Sequence, residues 1–197
     1  MIIVKNVETW GFVHAIRGMR NPLNSWELSD TEKENVGERD LDLMKRLARA
    51  GQPHRKYLRQ IFVSMDITAP LYWWKEFDTY KVGTVANSCS TMHTLHKRDL
   101  TLENFSFEHL ESRGFNSLKE TISTINYLRR KYLESQNKRY WYEMIQLLPN
   151  SFMQKRTVTF NYENALNMIE YRENHKLKEW CDFVNILKEL PYLKELR

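Results

Sequence analysis

The chain has 197 residues, with 30 Lys and Arg against 25 Asp and Glu, a formal charge of +5 and a pI near 9.1; 42% of it is hydrophobic and 13% aromatic. That apolar and aromatic content excludes a disordered protein, and no apolar run reaches the roughly 20 residues of a membrane-spanning helix. The length fits a single domain over residues 1–197 with a real core, and the basic balance favours anionic partners without a like-charge block of the kind that marks a nucleic-acid tail.

The opening residues MIIVKNVETW lack the basic start, apolar middle and small-residue cleavage site of a signal peptide, so a cytoplasmic protein is expected. Cys89 and Cys181 lie far apart in sequence and are expected to be reduced. Ile2 to Lys5 predicts a short strand. Thr9 to Met19 predicts a short helix carrying Trp10, Val13 and Ile16, closed by Gly18, Asn21 and Pro22 and followed by the loop Asn24-Ser25-Trp26. After the acidic run Asp30 to Glu38, Asp40 is expected to cap a helix with Leu41, Met44, Leu47 and Ala48 on one face and Gly51 as its stop.

Gly51 to His93 is the most informative stretch. It predicts a loop bearing Pro53-His54-Arg55, a buried strand from Ile61 to Ile67, and a helix that starts at Thr68-Ala69-Pro70 and runs to about Lys81. Thr68 would cap this helix and Pro70 would occupy its first turn, where a missing N–H costs nothing. Trp73, Phe77 and Tyr80 fall on one face of it and Leu71 and Trp74 on the other; a helix apolar on two faces needs two partners, which predicts an oligomer. Gly83 and the small polar residues Thr84, Asn87, Ser88, Ser90 and Thr91 then form either a loop that presents hydrogen-bonding groups to a polar ligand or one that satisfies its own backbone.

The connection from Thr94 to Asn116 is loop-rich. Cys89, His93 and His96 have a zinc-like spacing but no second ligand pair, so no metal site is predicted. Ser117 and Glu120 form a capping box for a long helix with Leu118, Ile122, Ile125, Leu128 and Tyr132 on one face. Lys138 to Leu148, with Trp141, Met144 and Ile145, completes a helical hairpin ending at Pro149. Phe152 to Phe160 is extended, and Asn161 caps a helix with Ala165, Leu166 and Ile169. A last helix carries Leu177, Trp180, Val184 and Leu187 and ends near Pro191. The fold class is α+β, a small sheet flanked by helices with a long helical hairpin.

The segments HRKYLRQIFVSMDITAP and TYKVGTVANSCSTMH resemble the signature region of the flavin-dependent thymidylate synthases, the thymidylate synthase complementing protein family. The resemblance sets His54 on the family's loop histidine, Glu76 on its substrate-side glutamine, and Thr79-Tyr80-Lys81 on its Arg-His-Arg triplet. With one inserted residue, Asn87 and Ser90 fall on the Asn and Ser of its Ser-x-Asn-x-x-Ser-x-Arg-Tyr segment, whose Arg-Tyr becomes Met92-His93. Ser25 matches a flavin-touching loop serine. Further on, Leu148-Pro149, Asn161, Asn167, Arg172 and His175 follow the family's order, and Lys155 stands where it has a nucleotide-binding arginine.

What the resemblance implies is a flavin-dependent thymidylate synthase-like fold and the reductive methylation of dUMP to dTMP with methylenetetrahydrofolate, FAD and NADPH, in a homotetramer. Ser25, His54, Lys81, Asn87, Asn161, Asn167 and His175 would serve the FAD. Glu76, Ser90, Lys155 and Arg172 would serve the nucleotide, with Arg172 as the catalytic residue. Arg172 and His175, three apart, are expected on one helix face. The lost arginines were forked donors, which a lysine or methionine does not replace. An alternative is therefore a protein of the same fold that keeps a flavin or nucleotide pocket without the methylation. A third reading, a basic nucleic-acid-binding protein, would need exposed Tyr72, Trp73 and Trp74 to stack bases.

Overall fold

A computed structural model describes residues 1–197. Phe62 to Pro70 alternates with a period of two, which a strand converts into two faces. Val63, Met65, Ile67 and Ala69 are buried, while Phe62, Ser64, Asp66 and Thr68 are half-buried. This is one of the two inner strands of a four-stranded sheet of order β1-β2-β4-β3, with β1 Ile3–Trp10, β2 Phe62–Pro70, β3 Val85–Ser88 and β4 Met153–Asn161. The helices are α1 Phe12–Arg20, α2 Glu38–Arg49, α3 Leu71–Phe77, α4 Thr91–Thr94, α5 Ser112–Ser135, α6 Lys138–Leu147, α7 Tyr162–Arg172 and α8 Lys178–Lys188. None of them is long and apolar enough to cross a membrane.

The chain divides into two compact units. The first comprises residues 1–3, 68–78 and 87–156. The α5–α6 hairpin supplies its core: Leu118, Ile122, Ile125 and Leu128 from α5 and Met144 from α6 cluster with Leu95, Leu100 and Phe105. The second comprises residues 4–67, 79–86 and 157–197. In it Phe12 meets Tyr162 and Tyr192 edge-on, at 5.6 and 5.4 Å between ring centres, and Tyr57 donates from its buried hydroxyl to the Met44 carbonyl at 2.7 Å.

Several boundaries differ from the sequence reading. The strand predicted over 61–67 continues to Pro70, and the helix after it is half the predicted length. Thr68 lies in the strand and caps nothing. The first-turn N–H groups of Leu71 and Tyr72 donate instead to the carbonyls of Phe152 and Asn150 at 3.0 and 3.1 Å, so a distant turn performs the capping that a hydroxyl was expected to do. The helix stops at Phe77, leaving Tyr80 and Lys81 outside it. Trp73, Trp74 and Phe77 are all buried within this single chain, so the two-faced helix supplies no argument for a second subunit and no exposed stacking platform for nucleic acid.

Likewise Asp40 is not the cap of α2. It sits inside the first turn, fully buried, and its carboxylate accepts from Arg20 Nε at 2.6 Å and from the hydroxyls of Ser29 and Thr31 at 2.7 Å. Asp30 does the capping, accepting from the N–H groups of Arg39 and Asp40 at 2.9 and 3.0 Å. Ser117 and Glu120 lie within α5, which begins five residues earlier at Ser112. The first strand is longer than predicted, the first helix starts at Phe12, and Val85 to Ser88, read as loop, forms the edge strand β3.

Candidate functional site

Two groups of polar residues carry chemistry, one in each unit. In the second unit α7 organises the first group. Asn161 ends β4 and caps α7, its Oδ1 accepting from the Asn164 N–H at 3.0 Å. Asn164, one turn in, donates to the Val82 carbonyl at 2.6 Å and to Thr84 Oγ1 at 3.0 Å. These bonds hold the Val82-Gly83-Thr84 turn against the helix start. Gly83 has φ +69°, and a Cβ there would lie 2.5 Å from Asn161 Nδ2. Glycine is therefore required both by its left-handed backbone and by the close approach of the amide.

At the other end of α7, Arg172 meets three groups. Its Nε donates to the Tyr80 hydroxyl at 3.0 Å, and its guanidinium lies 4.9 Å over the Trp180 ring and 5.8 Å over that of Tyr80. His175 packs edge-on to Trp180 with ring centres 6.3 Å apart, and its Nδ1 accepts from the Leu177 N–H at 3.2 Å. That bond places its ring proton on Nε2. The expected shared helix face is corrected: α7 ends at Arg172, and His175 sits in the turn before α8. Arg172 and His175 are nonetheless brought together, by Trp180 instead of by helical spacing. Glu173, the next residue, is taken by Lys188 at 2.5 Å and by Arg197 at 2.9 Å, and those hydrogen bonds, Arg197's first, hold its carboxyl at about 2.

Asn167 lies midway along α7 and accepts from Arg55 Nη2 at 3.3 Å. Arg55 Nε is buried, lies 3.7 Å from Glu163 Oε1, and makes no hydrogen bond. Arg59 claims Glu163 more closely, at 2.6 Å. His54 is exposed in the turn just before Arg55, its N–H donating to the Gly51 carbonyl. Lys81 is exposed beside Tyr80. Ser25 is set apart from these residues: its backbone bonds to Arg20, with its carbonyl accepting from Arg20 Nη1 at 3.3 Å.

The first unit holds the second group. A cavity of about 460 Å3 is lined by Cys89, Lys97, Arg98, Glu103, Gln154 and Lys155, with Leu95, Leu100 and Phe152 as apolar wall. Its floor is pinned where the Cys89 N–H donates to the Lys155 carbonyl at 2.8 Å and Gln154 Nε2 donates to the Cys89 carbonyl at 3.0 Å. Ser90 borders it in sequence and spends its carbonyl on Thr94 Oγ1 at 2.7 Å. Lys155 alone of the sequence-predicted residues lines the cavity. Asn87 is exposed on β3, and Glu76 is half-buried on α3. Three cations against one carboxylate, with an apolar wall, suit an anion that carries a flat organic part.

Sequence reasoning missed Trp180 as the platform for Arg172, Tyr80 as its hydrogen-bond acceptor, and Lys97-Arg98 as cavity residues. For the last pair a signal existed in two adjacent cations just beyond the Ser-rich segment. For Trp180 there was none, since its spacing in α8 reads simply as core.

No protein-family model and no curated protein sequence matches the chain. Solved structures do. A flavin-dependent thymidylate synthase from Helicobacter pylori complexed with FAD and dUMP superposes with a TM-score of 0.68 at 19% identity, over 94% of this chain and 91% of that one. Thymidylate synthase X from Helicobacter pylori, with FAD and dUMP, gives 0.69 at 17% identity over 100% and 98%. A UMP/dUMP methylase from Streptomyces cacaoi bound with 5-Br dUMP gives 0.68 at 13% identity over 95% and 88%. The chain has the α+β fold of the flavin-dependent thymidylate synthases.

Proposed function

We propose that this protein binds a pyrimidine nucleotide and methylates it as the flavin-dependent thymidylate synthases do, converting dUMP to dTMP with methylenetetrahydrofolate, FAD and NADPH, as a homotetramer. The observation that supports it most is the cation-lined cavity at Lys155 in a chain of this fold. Lys155, Ser90 and Glu76 are assigned to the nucleotide. Arg172 is assigned to the pyrimidine, because a guanidinium stays charged throughout a reaction and can polarise a carbonyl.

The donor set tests whether a flavin fits. The amides of Asn161 and Asn167 and the imidazoles of His54 and His175 are the kind of groups that match the polar edge of a flavin ring, while Asn87 and Ser25 are assigned to it by the resemblance alone. The buried, unbonded Arg55 Nε beside Asn167 is a donor in need of an acceptor. For the pyrophosphate the residues at 79–81 offer Lys81. The set therefore fits FAD, which when bound supplies the hydride and one-carbon chemistry, while this chain binds and orients the reactants.

A second reading is favoured by one observation. Tyr80 Oη takes Arg172 Nε, and Trp180 covers the guanidinium. An arginine so held is fixed in place, which suits a binding protein as well as an enzyme. Purified protein should be yellow with flavin absorbance and should convert dUMP to dTMP when the folate and NADPH are added. Flavin without turnover selects the second reading, and protein without flavin overturns both.

A further inference from the structure

We propose that Lys97 and Arg98 form a phosphate-binding pair that replaces the charge missing from position 92. Both line the cavity of about 460 Å3 together with Lys155. Neither has a salt-bridge role that would account for it. What sets them apart from ordinary surface cations is the loop that carries them, which α5 grips from end to end. Arg129 donates through Nε to the His96 carbonyl at 3.0 Å, through Nη2 to the Lys97 carbonyl at 3.3 Å, and pairs through Nη1 with Asp99 Oδ1 at 2.8 Å. Asn126 closes the loop at Leu100, accepting from its N–H at 2.8 Å and donating to its carbonyl at 2.9 Å.

Two side chains thus spend five hydrogen bonds on four residues of the loop, His96, Lys97, Asp99 and Leu100. Arg129 bonds the backbone carbonyls of His96 and Lys97 and pairs with the Asp99 side chain beyond the pair, so Lys97 and Arg98 extend from a fixed backbone. A preorganised backbone lowers the ordering cost of binding, and Arg at such a place adds a planar fork that can take two phosphate oxygens at once. Glu103 on the same wall is the one opposing charge. It disfavours a second anionic group beside the first, which points to a monophosphate in preference to a di- or triphosphate. Arg129 is a positioning residue here, acting only through the loop.

The inference rests on the nucleotide reading for the organic part of the ligand but not for the phosphate. Calorimetric titration of the full chain with dUMP, deoxyuridine and inorganic phosphate tests it, with Cys89 as an internal reporter because its exposed thiol lines the cavity. Lys97→Ala and Arg98→Ala should each weaken dUMP binding about tenfold or more, the scale of one charge-assisted hydrogen bond, and leave deoxyuridine binding unchanged. Arg98→Lys should restore part of the loss. Arg129→Ala should weaken dUMP while the cavity keeps all its own charges, and bound dUMP should slow iodoacetamide labelling of Cys89. Unchanged dUMP affinity in both alanine variants overturns the proposal, as does equal weakening of deoxyuridine or unslowed labelling. Phosphate binding that depends on Lys97 and Arg98, in a protein that ignores dUMP, upholds the pair and overturns the nucleotide reading. Wild-type protein that binds none of the three probes overturns both.

Discussion

Gly83→Ala puts the link between the Gly83 turn and α7 to a quantitative test. Gly83 has φ +69°, and a Cβ there would lie 2.5 Å from Asn161 Nδ2 and 3.6 Å from its Cγ. Two costs follow. Holding a non-glycine residue in the left-handed region costs about 1–2 kcal/mol. Pushing the Asn161 side chain aside removes the α7 cap, worth about 1 kcal/mol. Together they predict a destabilisation of about 2–3 kcal/mol, which for a chain of this size is a melting-temperature drop of roughly 4–12 °C.

Urea unfolding of Gly83→Ala, Asn161→Ala and the double variant separates the two terms. Asn161→Ala alone should cost about 1 kcal/mol. The double variant should cost less than the sum of the singles, because the cap displaced by the new methyl is already gone. A Gly83→Ala variant within about 0.5 kcal/mol of wild type, the range of an ordinary surface change, would refute the reasoning. Full additivity would leave only the backbone term and break the link to α7.

Three further outcomes are expected. Arg172→Ala or Arg172→Lys should leave flavin content nearly unchanged and cut dUMP turnover about a hundredfold or more, the scale of one positioned electrostatic donor; turnover within a few-fold of wild type makes Arg172 a surface arginine that merely stacks on Trp180. Asp40→Asn should destabilise by about 3–5 kcal/mol in urea, because it leaves the buried Arg20 without its counter-charge; a loss under about 1 kcal/mol would mean that Ser29 and Thr31 suffice. Glu173, held at about 2 against an ordinary 4.5 by Arg197 and Lys188, has a depressed folded-state pKa, so its stabilisation is present above 4.5 and is lost as pH falls from 4.5 towards 2. Glu173→Gln should therefore flatten the decline of melting temperature across that window, and an unaltered slope would show that other carboxylates govern it.

The parts of the fold that sequence made legible are those whose physics is local. Periodicity placed Leu118, Ile122, Ile125 and Leu128 on the buried face of α5, and the cap chemistry of Asn161 placed the start of α7. What failed was decided by groups far away in the chain. Thr68 looked like a cap, yet the carbonyls of Asn150 and Phe152 take the N–H groups at the start of α3. Asp40 looked like a cap, yet Arg20, twenty residues earlier, draws its carboxylate inward and leaves the capping to Asp30. Arg172 and His175 were expected to meet by helical spacing, and they meet through Trp180, whose position in α8 carries no local sign of that role.

Tyr80 ties the departures from the family's motif to a physical consequence. The resemblance sets it in the middle of a triplet whose outer positions would be arginines, and in this chain its hydroxyl accepts from Arg172 Nε. A phenol cannot grip a phosphate as a guanidinium does, but it can orient one. The substitution thus fixes Arg172 where the resemblance implies phosphate binding at 79–81, and on the proposed reading the nucleotide's phosphate is met by other cations. Lys97 and Arg98, on a loop immobilised by Arg129 and Asn126, are the cations proposed for that phosphate. Tyr80→Phe and Arg98→Ala should then act on different quantities. The first loosens Arg172 and lowers the turnover number with little change in dUMP affinity, while the second weakens dUMP affinity and spares turnover at saturation. If both variants moved the same quantity, orientation and phosphate binding would be one function, and Tyr80 would have no separate part in it.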